Sequence, residues 1–333
     1  MYRILSIDGG GVRGIVAALV LADLEHRARR PIAELFDLVA ATSTGAIVAL
    51  ALLRPGQADR PARNAQEVAE FYETTSRDVF SRTPWQRVRS ADGFLGPKYD
   101  AARLERSLRA EFGEAMLSHS LCDVLLTSYD LKARAPLFFK TRDISSGRHA
   151  DQPMWLVARA TSAAPTYFSP VELRDGDQRR WLIDGGVCAN NPSVCAYAEA
   201  LRELAAGTLE DPDVRVVSVG TGAISTDYAV TKTLHGGKLA WATPMFDVVL
   251  DAAEDTADYQ MTQALPAEKY FRFQADLPEA TPQQPSWVSE IDNTSPANVT
   301  MLKDSARQLI TSEQDRLEEV AQSFSQQRGG VVQ

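Results

Sequence analysis

The chain has 333 residues, which is long enough for one large α/β domain or two modest ones. Its composition is that of an ordinary globular protein, with 44% hydrophobic and 24% charged residues. The net charge of −9 argues against a nucleic-acid partner. It leaves peripheral membrane contact open, because such docking needs only a local patch of basic and aromatic residues.

The cysteines and the start of the chain predict a cytoplasmic protein. Cys122, Cys188 and Cys195 form an odd set without Cys-x-x-Cys spacing, which is typical of free thiols in a reducing compartment. The chain opens on a β-type run rather than on a charged and apolar leader. Residues 35–53 are nearly long enough to cross a bilayer, but polar residues interrupt them, so a strand followed by a helix is the better interpretation.

The first part of the chain repeats one pattern, in which a short β-type run meets a turn of small residues and becomes a helix. The predicted elements are a strand at 2–7, a turn at 9–14 and a helix at 15–29, then a strand at 35–39, a turn at 41–45 and a helix at 47–53.

Strands and helices continue to alternate along the rest of the chain. The predicted helices are residues 65–75, 101–112, 155–161, 192–206, 246–265 and 298–324, the fourth of which opens with Asn190, Asn191 and Pro192. The predicted strands are 124–128, 137–141, 168–173, 181–183, 214–219 and 270–274, of which the third and fourth form a hairpin with a polar turn at 174–180. We therefore expect an α/β protein, a three-layer α/β/α sandwich with a mostly parallel central sheet. It should form a single domain over residues 1–325, followed by a flexible tail at 326–333.

Ser43 lies in the second turn, in the sequence ATSTG. A nucleophile elbow usually reads Gly-x-Ser-x-Gly, because the residues two positions away must be small for the chain to turn sharply. Ala41 replaces the first glycine and Gly45 keeps the second. Alone this pattern is weak, since Ser-Thr-Gly is also compatible with a simple helix N-cap.

The first turn carries the sequence DGGGVRG at residues 8–14. Backbone N–H groups of such a loop at a helix N-terminus can hold a phosphate or a carbonyl oxyanion. The glycine spacing also matches a dinucleotide-binding loop, with Asp37 as its acidic residue. Two features count against that alternative: the second strand continues past Asp37, and Asp8 would put a carboxylate beside the pyrophosphate.

A third segment, Asp184 followed by two glycines, comes directly after a predicted strand. Alone, a glycine turn is its simplest interpretation. A serine nucleophile needs a base within hydrogen-bond reach, and histidine is the usual one. The four histidines, none of which follows a predicted strand, are His26, His119, His149 and His235. A Ser–His–Asp triad through His235 stays open as a minor alternative.

Taken in this order, the three segments resemble the motifs of the patatin-like phospholipase family. Further similar stretches are FLGPKY at 94–99, TSAAPTYF at 161–168, VSVGTG at 217–222 and residues 292–298. The resemblance covers essentially the whole chain, and Ala41 is its one departure, which bears on the geometry of the elbow. It implies a patatin-like fold and a lipid acyl hydrolase of phospholipase A or lysophospholipase type.

The resemblance also implies a catalytic dyad, with Ser43 as nucleophile and Asp184 as general base. The implied oxyanion hole comprises Gly9, Gly10, Gly11 and Arg13, and the remaining motif positions are Gly14, Ala41, Gly45, Gly185 and Gly186. No cofactor is implied, and the sequence shows no cluster of side chains at metal-ligand spacing. An aspartate with its ordinary pKa of about 3.9 is a poor base at neutral pH. Burial would raise that pKa and hydrogen-bond donors would lower it.

The expected substrates are membrane phospholipids or other acyl lipids, and the sequence allows a homo-oligomer. Residues 77–99 interleave aromatic and basic side chains, which indicates either a mobile flap that touches lipid or a solvated surface loop. Bacterial proteins similar to this one suggest an alternative, a cyclic-nucleotide-activated effector phospholipase in antiphage defence. The basic residues available to such a nucleotide activator include Arg54, Arg60, Arg63, Arg77 and Lys232. A storage protein with an idle site is disfavoured, because every catalytic position is filled.

Overall fold

The structure, a computed structural model, describes residues 1–81, 96–176, 178–210, 212–224, 237, 244–278 and 290–325. Its strands are β1 (Tyr2–Ile7), β2 (Leu38–Ala41), β3 (Asp123–Asp130), β4 (Ala135–Lys140), β5 (Val171–Asp175), β6 (Gln178–Asp184), β7 (Val214–Val219), β8 (Ala223–Ile224), β9 (Tyr270–Phe273) and β10 (Asp276–Leu277). Its helices are α1 (Gly14–Ala28), α2 (Ile32–Leu35), α3 (Thr44–Leu53), α4 (Ala65–Val79), α5 (Ala101–Phe112), α6 (Thr141–Ser145), α7 (Met154–Thr161), α8 (Gly186–Ala189), α9 (Ser193–Ala205), α10 (Pro244–Ala264), α11 (Pro296–Ser312) and α12 (Gln314–Ser325). The predicted tail at 326–333 lies outside the described residues.

Eight of the described strands form one sheet, in the order β5-β6-β3-β2-β1-β7-β9, with β4 paired to β3. Five neighbouring strands of this sheet run parallel to one another: β3, β2, β1, β7 and β9. The strands β4, β5 and β6 add antiparallel pairs at one end. A short parallel pair joins β8 and β10. The prediction of a mostly parallel central sheet is confirmed.

Both faces of the parallel strands are covered, and for that reason these strands read as nearly continuous apolar runs. All six residues of β1 are buried; Leu5 and Ile7 pack on one face, and Ile4 packs on the other. The first face carries α1, α3, α4, α5, α7, α11 and α12, whereas α9 and α10 cover the second. The predicted α/β/α sandwich is therefore confirmed.

Two predicted boundaries are wrong in an informative way. The predicted helix at 298–324 is two helices, because Glu313 leaves helical geometry between α11 and α12. Both helices pack on α1, so the apolar spacing continues across the break and hides it from the sequence. The predicted turn at 174–180 is mostly strand, because Arg174 and Asp175 pair with Arg179 and Gln178 despite their polarity.

One edge of β3 brings two distant turns of the chain together. Along one edge β3 pairs with β4, and along the other it pairs first with β2 and then with β6. Ala41, the last residue of β2, is the register partner of Leu126, and Asp184, the last residue of β6, is the partner of Ser128. Since β2 runs parallel to β3 and β6 runs antiparallel, their carboxyl ends meet beside Thr127. The turns that follow these two strands must therefore face each other.

Candidate active site

Ser43 lies at the junction between β2 and α3 with backbone angles φ 52° and ψ −121°, which side-chain-bearing residues rarely adopt. Such strain is typical of a nucleophile elbow, where it lifts the side chain out of the turn. A Cβ on Gly45 would lie 2.5 Å from the Ile7 carbonyl oxygen and 2.6 Å from that of Asp8, so only glycine fits there. Ala41 is fully buried at the end of β2, where its methyl group is accommodated.

The hydroxyl of Ser43 donates a hydrogen bond to Asp184 Oδ2 at 2.6 Å. The other carboxylate oxygen, Oδ1, accepts the backbone N–H of Gly186 at 2.8 Å. The Asp184 backbone N–H donates to the Ala163 carbonyl at 3.0 Å, which anchors the end of β6. Each oxygen of the carboxylate thus has one donor, and the Ser43 hydroxyl is one of the two.

Burial dominates the electrostatics of this carboxylate. Asp184 is 2% exposed, and removal from water raises its pKa from about 3.8 to about 7. The hydrogen bonds from Ser43 and Gly186 act in the opposite direction and lower it. A base with a pKa near neutrality can accept the serine proton and return it, which an aspartate with its ordinary pKa does poorly.

The glycine loop supplies backbone donors next to this pair. Gly9 donates its N–H to the Asn190 carbonyl at 3.1 Å. Within the described ranges, the N–H groups of Gly10 and Gly11 have no protein acceptor, and both residues line the same cavity as Ser43. Gly10 packs against Thr221, and Gly11 adopts φ +59° with the Ile291 carbonyl against its Cα. Two backbone N–H groups are therefore available to an oxyanion formed at Ser43.

Arg13 points to a different part of the molecule. It is 5% exposed, and its Nη1 donates to the Gly222 carbonyl at 3.3 Å, which joins the glycine loop to the end of β7. It is not among the described residues that line the cavity. A part for its side chain in an oxyanion hole stays a prediction. Gly14 packs against the Thr44 hydroxyl, and Gly185 packs against Thr127.

The cavity that contains Ser43 encloses about 810 Å³ of empty space, part of which is open to solvent. Its polar end holds Ser43, Asp184 and the glycine loop. Most of the remaining lining is apolar, and the side chains that α4 and α5 contribute there include Phe71, Val79, Leu104 and Leu108. The arrangement places a hydroxyl nucleophile at one end of an apolar chamber.

Two threonines that the sequence reasoning missed hold these turns in place. The Ser43 N–H donates to Thr161 Oγ1 at 2.8 Å. Beneath Ser43 and Asp184, Thr42 Oγ1 donates to the Ala189 carbonyl at 2.6 Å and shares a 2.7 Å hydrogen bond with Thr127. The only signal for Thr161 is its position at the start of the TSAAPTYF stretch, and Thr42 belongs to the elbow sequence itself.

The described histidines do not approach Ser43. The Met116 N–H donates to His119 Nδ1 at 3.2 Å, and His149 pairs with Asp175 at 2.8 Å, near the β5–β6 turn. His26 lies in α1, and His235 lies outside the described residues. None of the three described histidines lines the cavity.

The dinucleotide alternative does not fit the observed contacts. Asp37 lies before the amino end of β2, whereas Ser43 follows its carboxyl end. The Asp37 carboxylate binds Arg3 at 3.0 Å. Asp8 is fully buried and pairs with Arg272 at 2.6 Å. The acidic residue that would bind a ribose is therefore at the wrong end of its strand.

The proposed flap at 77–99 falls largely outside the described residues, including its Trp85 and Phe94. Its first described end borders the cavity. Phe80 lines the cavity, and its ring lies 5.3 Å from that of Tyr99. Whether the segment acts as a lid stays a prediction.

Within the described parts of the chain, no three histidine, cysteine, aspartate or glutamate side chains are grouped as a metal site would require. None of the described helices combines the length and the apolar character needed to cross a bilayer.

Comparison with known proteins identifies the family of the chain. Residues 5–193 match the family model described as patatin-like phospholipase. The chain is 32% identical to Patatin-like protein 2 of Arabidopsis thaliana, over 83% of this chain and 76% of that protein. It is 31% identical to Patatin-like protein 2 of Oryza sativa subsp. indica, over 96% of this chain and 86% of that protein. One potato relative, 28% identical over 91% of this chain and 84% of its own length, is named "Probable inactive patatin-3-Kuras 1". The chain belongs to the patatin-like phospholipase family, and this membership supports lipid acyl hydrolase activity at the level of the family.

Proposed function

We propose that this protein is a lipid acyl hydrolase of phospholipase A or lysophospholipase type, which cleaves fatty-acyl esters through Ser43 and Asp184. Family membership alone does not decide activity, because one relative carries a name that describes it as inactive. The observation that carries the proposal is the 2.6 Å hydrogen bond between the Ser43 hydroxyl and the buried carboxylate of Asp184, inside an apolar cavity.

In the first half of the reaction, Ser43 Oγ attacks the ester carbonyl carbon while Asp184 Oδ2 accepts the hydroxyl proton. The carbonyl oxygen becomes an oxyanion, which the N–H groups of Gly10 and Gly11 stabilise. Collapse of this intermediate breaks the bond between the carbonyl carbon and the alcohol oxygen. The protonated Asp184 gives its proton to the leaving alcohol, and the acyl group stays on Ser43.

In the second half, water attacks the acyl-enzyme and Asp184 accepts a proton from it. The same N–H groups hold the second oxyanion, and its collapse returns the proton to Ser43 Oγ and releases the fatty acid. A base with a pKa of about 7 suits both halves, because Asp184 must take up and release a proton in each.

The cavity supports a lipid substrate rather than a polar ester. Phe71, Leu104 and Leu108 lie on the chamber side of Ser43, where a fatty-acyl chain would bury its methylene groups. Each buried methylene contributes about 0.8 kcal/mol. A lipid with a long acyl chain therefore gains binding energy that a short ester lacks.

The test is product analysis of a phospholipid, lysophospholipid and galactolipid mixture by mass spectrometry, with wild type, Ser43→Ala and Ser145→Ala. Ser145 is exposed in α6 and serves as the matched control. We expect fatty-acid release by wild type and by Ser145→Ala, and a loss of at least about 10³-fold in Ser43→Ala. Ordinary esterase activity in a folded Ser43→Ala variant would refute the proposal.

Activation by a cyclic nucleotide gains no specific support from the described residues. Arg54 and Arg63 both bind Glu111, at 3.4 Å and 2.7 Å, so these guanidinium groups already have a carboxylate partner. Lys232 lies outside the described residues. The alternative stays a prediction, and a parallel set of reactions with added cyclic nucleotides tests it: release of fatty acid only in their presence would favour it.

A further inference from the structure

Asp8, which opens the glycine-loop sequence, belongs to a buried ion cluster beneath the loop. Its carboxylate pairs with Arg272 of β9 at 2.6 Å, and Arg272 also donates to Glu254 of α10 at 2.8 Å. A further N–H group of Arg272 donates to Ser218 Oγ at 2.9 Å. Burial raises the pKa of Asp8, while the Arg272 guanidinium opposes this rise. The reaction proposed above uses none of these charges.

Asn190 connects this cluster to the glycine loop. Its Nδ2 donates to the second oxygen of Glu254 at 3.1 Å, and its backbone carbonyl accepts the Gly9 N–H at 3.1 Å. A Cβ placed on Gly9 would lie 2.3 Å from Asn190 Oδ1 and 3.3 Å from the Ser43 Cβ. Gly9 is therefore confined between Asn190 and the nucleophile.

The contacts close into a ring around the loop. Asp8 binds Arg272, Arg272 binds Glu254, and Glu254 binds Asn190, which returns to Gly9, the residue after Asp8. Because the Gly9 carbonyl also accepts the Thr221 hydroxyl at 2.7 Å, both polar atoms of Gly9 are fixed. The next two residues along the chain are the ones whose N–H groups have no acceptor in the described structure.

The orientation of the Asn190 amide follows from this ring. Its Nδ2 must face the Glu254 carboxylate, so its Oδ1 faces Gly9, and Asn190 is 1% exposed. Within the described residues Oδ1 accepts no hydrogen bond. Instead Oδ1 packs against Gly9, where an added Cβ would lie 2.3 Å from it.

We propose that Asn190, oriented by Glu254, is a positioning residue that sets the Gly10 and Gly11 N–H groups for the oxyanion. This inference rests on the proposed function. Oxyanion donors act only when they are held at the place where charge develops, and a displacement of about 1 Å can cost about 10²-fold in rate. Loss of the Asn190 side chain should therefore affect kcat rather than substrate binding.

The experiment compares Asn190→Ala with Asn191→Ala. Asn191 is the adjacent residue and is also 1% exposed, but its Oδ1 accepts the Ser193 N–H at 3.0 Å and the Ser6 hydroxyl at 3.3 Å, away from Gly9. With a soluble p-nitrophenyl butyrate substrate, we expect kcat of Asn190→Ala to fall about 10- to 100-fold while KM changes less than about threefold. Asn191→Ala should lose similar thermal stability and keep its kcat.

Two further measurements separate this inference from the proposed function. Glu254→Gln keeps the side-chain shape but weakens the hydrogen bond between residue 254 and the Asn190 amide. If both residues act through Gly9, the effect of Glu254→Gln on kcat should not add to that of Asn190→Ala. In protein labelled with 15N-glycine, the amide signals of Gly10 and Gly11 should shift in Asn190→Ala and stay in place in Asn191→Ala.

If wild type hydrolyses no ester, the proposed function fails, and the amide signals decide the positioning claim by themselves. Equal kcat values for the two asparagine variants, or unmoved Gly10 and Gly11 signals in Asn190→Ala, would overturn the inference. If Asn190→Ala does not fold, the same kinetic and amide measurements on Glu254→Gln decide it.

Discussion

The Ser43 hydroxyl donates to the Asp184 carboxylate at 2.6 Å, although 141 residues separate the two in the chain. They meet because β2 and β6 end at the same place along one edge of β3. This contact supports the proposal that the carboxylate itself accepts the serine proton.

Activity should depend on the ionisation of Asp184. Burial raises its pKa to about 7, and only the carboxylate form can accept the Ser43 proton. We expect kcat/KM to fall about tenfold for each pH unit below about 7 and to level off above it. The check is a pH–rate profile on a soluble ester from about pH 5 to about pH 9. A profile that stays flat down to about pH 5 would contradict the assignment of Asp184 as the base.

The same burial should cost the protein stability. In the folded state Asp184 has a pKa of about 7 rather than about 3.8, so between these values the folded protein holds a proton that the unfolded chain has lost. Stability from this group therefore falls as the pH rises through that window. Asp184→Asn should stabilise the protein by roughly 1–3 kcal/mol at about pH 8 and by less at about pH 5, while abolishing activity.

Denaturation curves at the two pH values measure this effect, with Asp130→Asn as the control. Asp130 is also buried, but its carboxylate accepts the Lys132 and Ala133 N–H groups and pairs with Arg180, so the control should lose stability. Destabilisation of both variants at about pH 8 would show that burial of the Asp184 charge is not costly.

The strained backbone at Ser43 predicts an unusual preference for glycine. At φ 52° and ψ −121° a side chain is unfavourable, so Ser43→Gly should be about 1–2 kcal/mol more stable than Ser43→Ala, and both should be inactive. Urea denaturation measures the difference. At Ser145, in helix α6, the order should reverse, since alanine favours a helix over glycine by about 1 kcal/mol. Equal stability of the two Ser43 variants would mean that the elbow is not strained.

The apolar wall of the cavity should set acyl-chain length. Leu108 is 1% exposed and lines the chamber from α5. Leu108→Trp should lower kcat/KM for a dodecanoyl ester about tenfold or more relative to a butyryl ester, because the larger ring occupies space that a long chain needs. Leu201→Trp, on the exposed side of α9, is the control and should leave this ratio unchanged. A ratio unaffected by Leu108→Trp would place the acyl chain elsewhere.

The parts of the site that local sequence dictates could be predicted, and the parts that folding assembles could not. Ser43 and the glycine loop sit on tight turns, where backbone geometry restricts the residue types allowed. Thr161 reaches the Ser43 N–H across 118 residues, and Asn190 meets Glu254 across 64. A single threonine or asparagine belongs to no periodic pattern or motif spacing that would predict such a contact. The sheet could be predicted from its apolar runs, but the break at Glu313 could not, because the apolar spacing ignores it.

Ser43 follows β2 and Asp184 ends β6, two strands that are hydrogen-bonded to β3, whereas much of the chamber wall belongs to α4 and α5. If the proposed function holds, the reacting groups and the side chains that select the lipid belong to separate layers of the molecule. Substitutions on those helices can widen, shorten or reshape the chamber while the reacting atoms stay in register. The same scaffold can thus change its range of lipid substrates while its reacting groups stay in place.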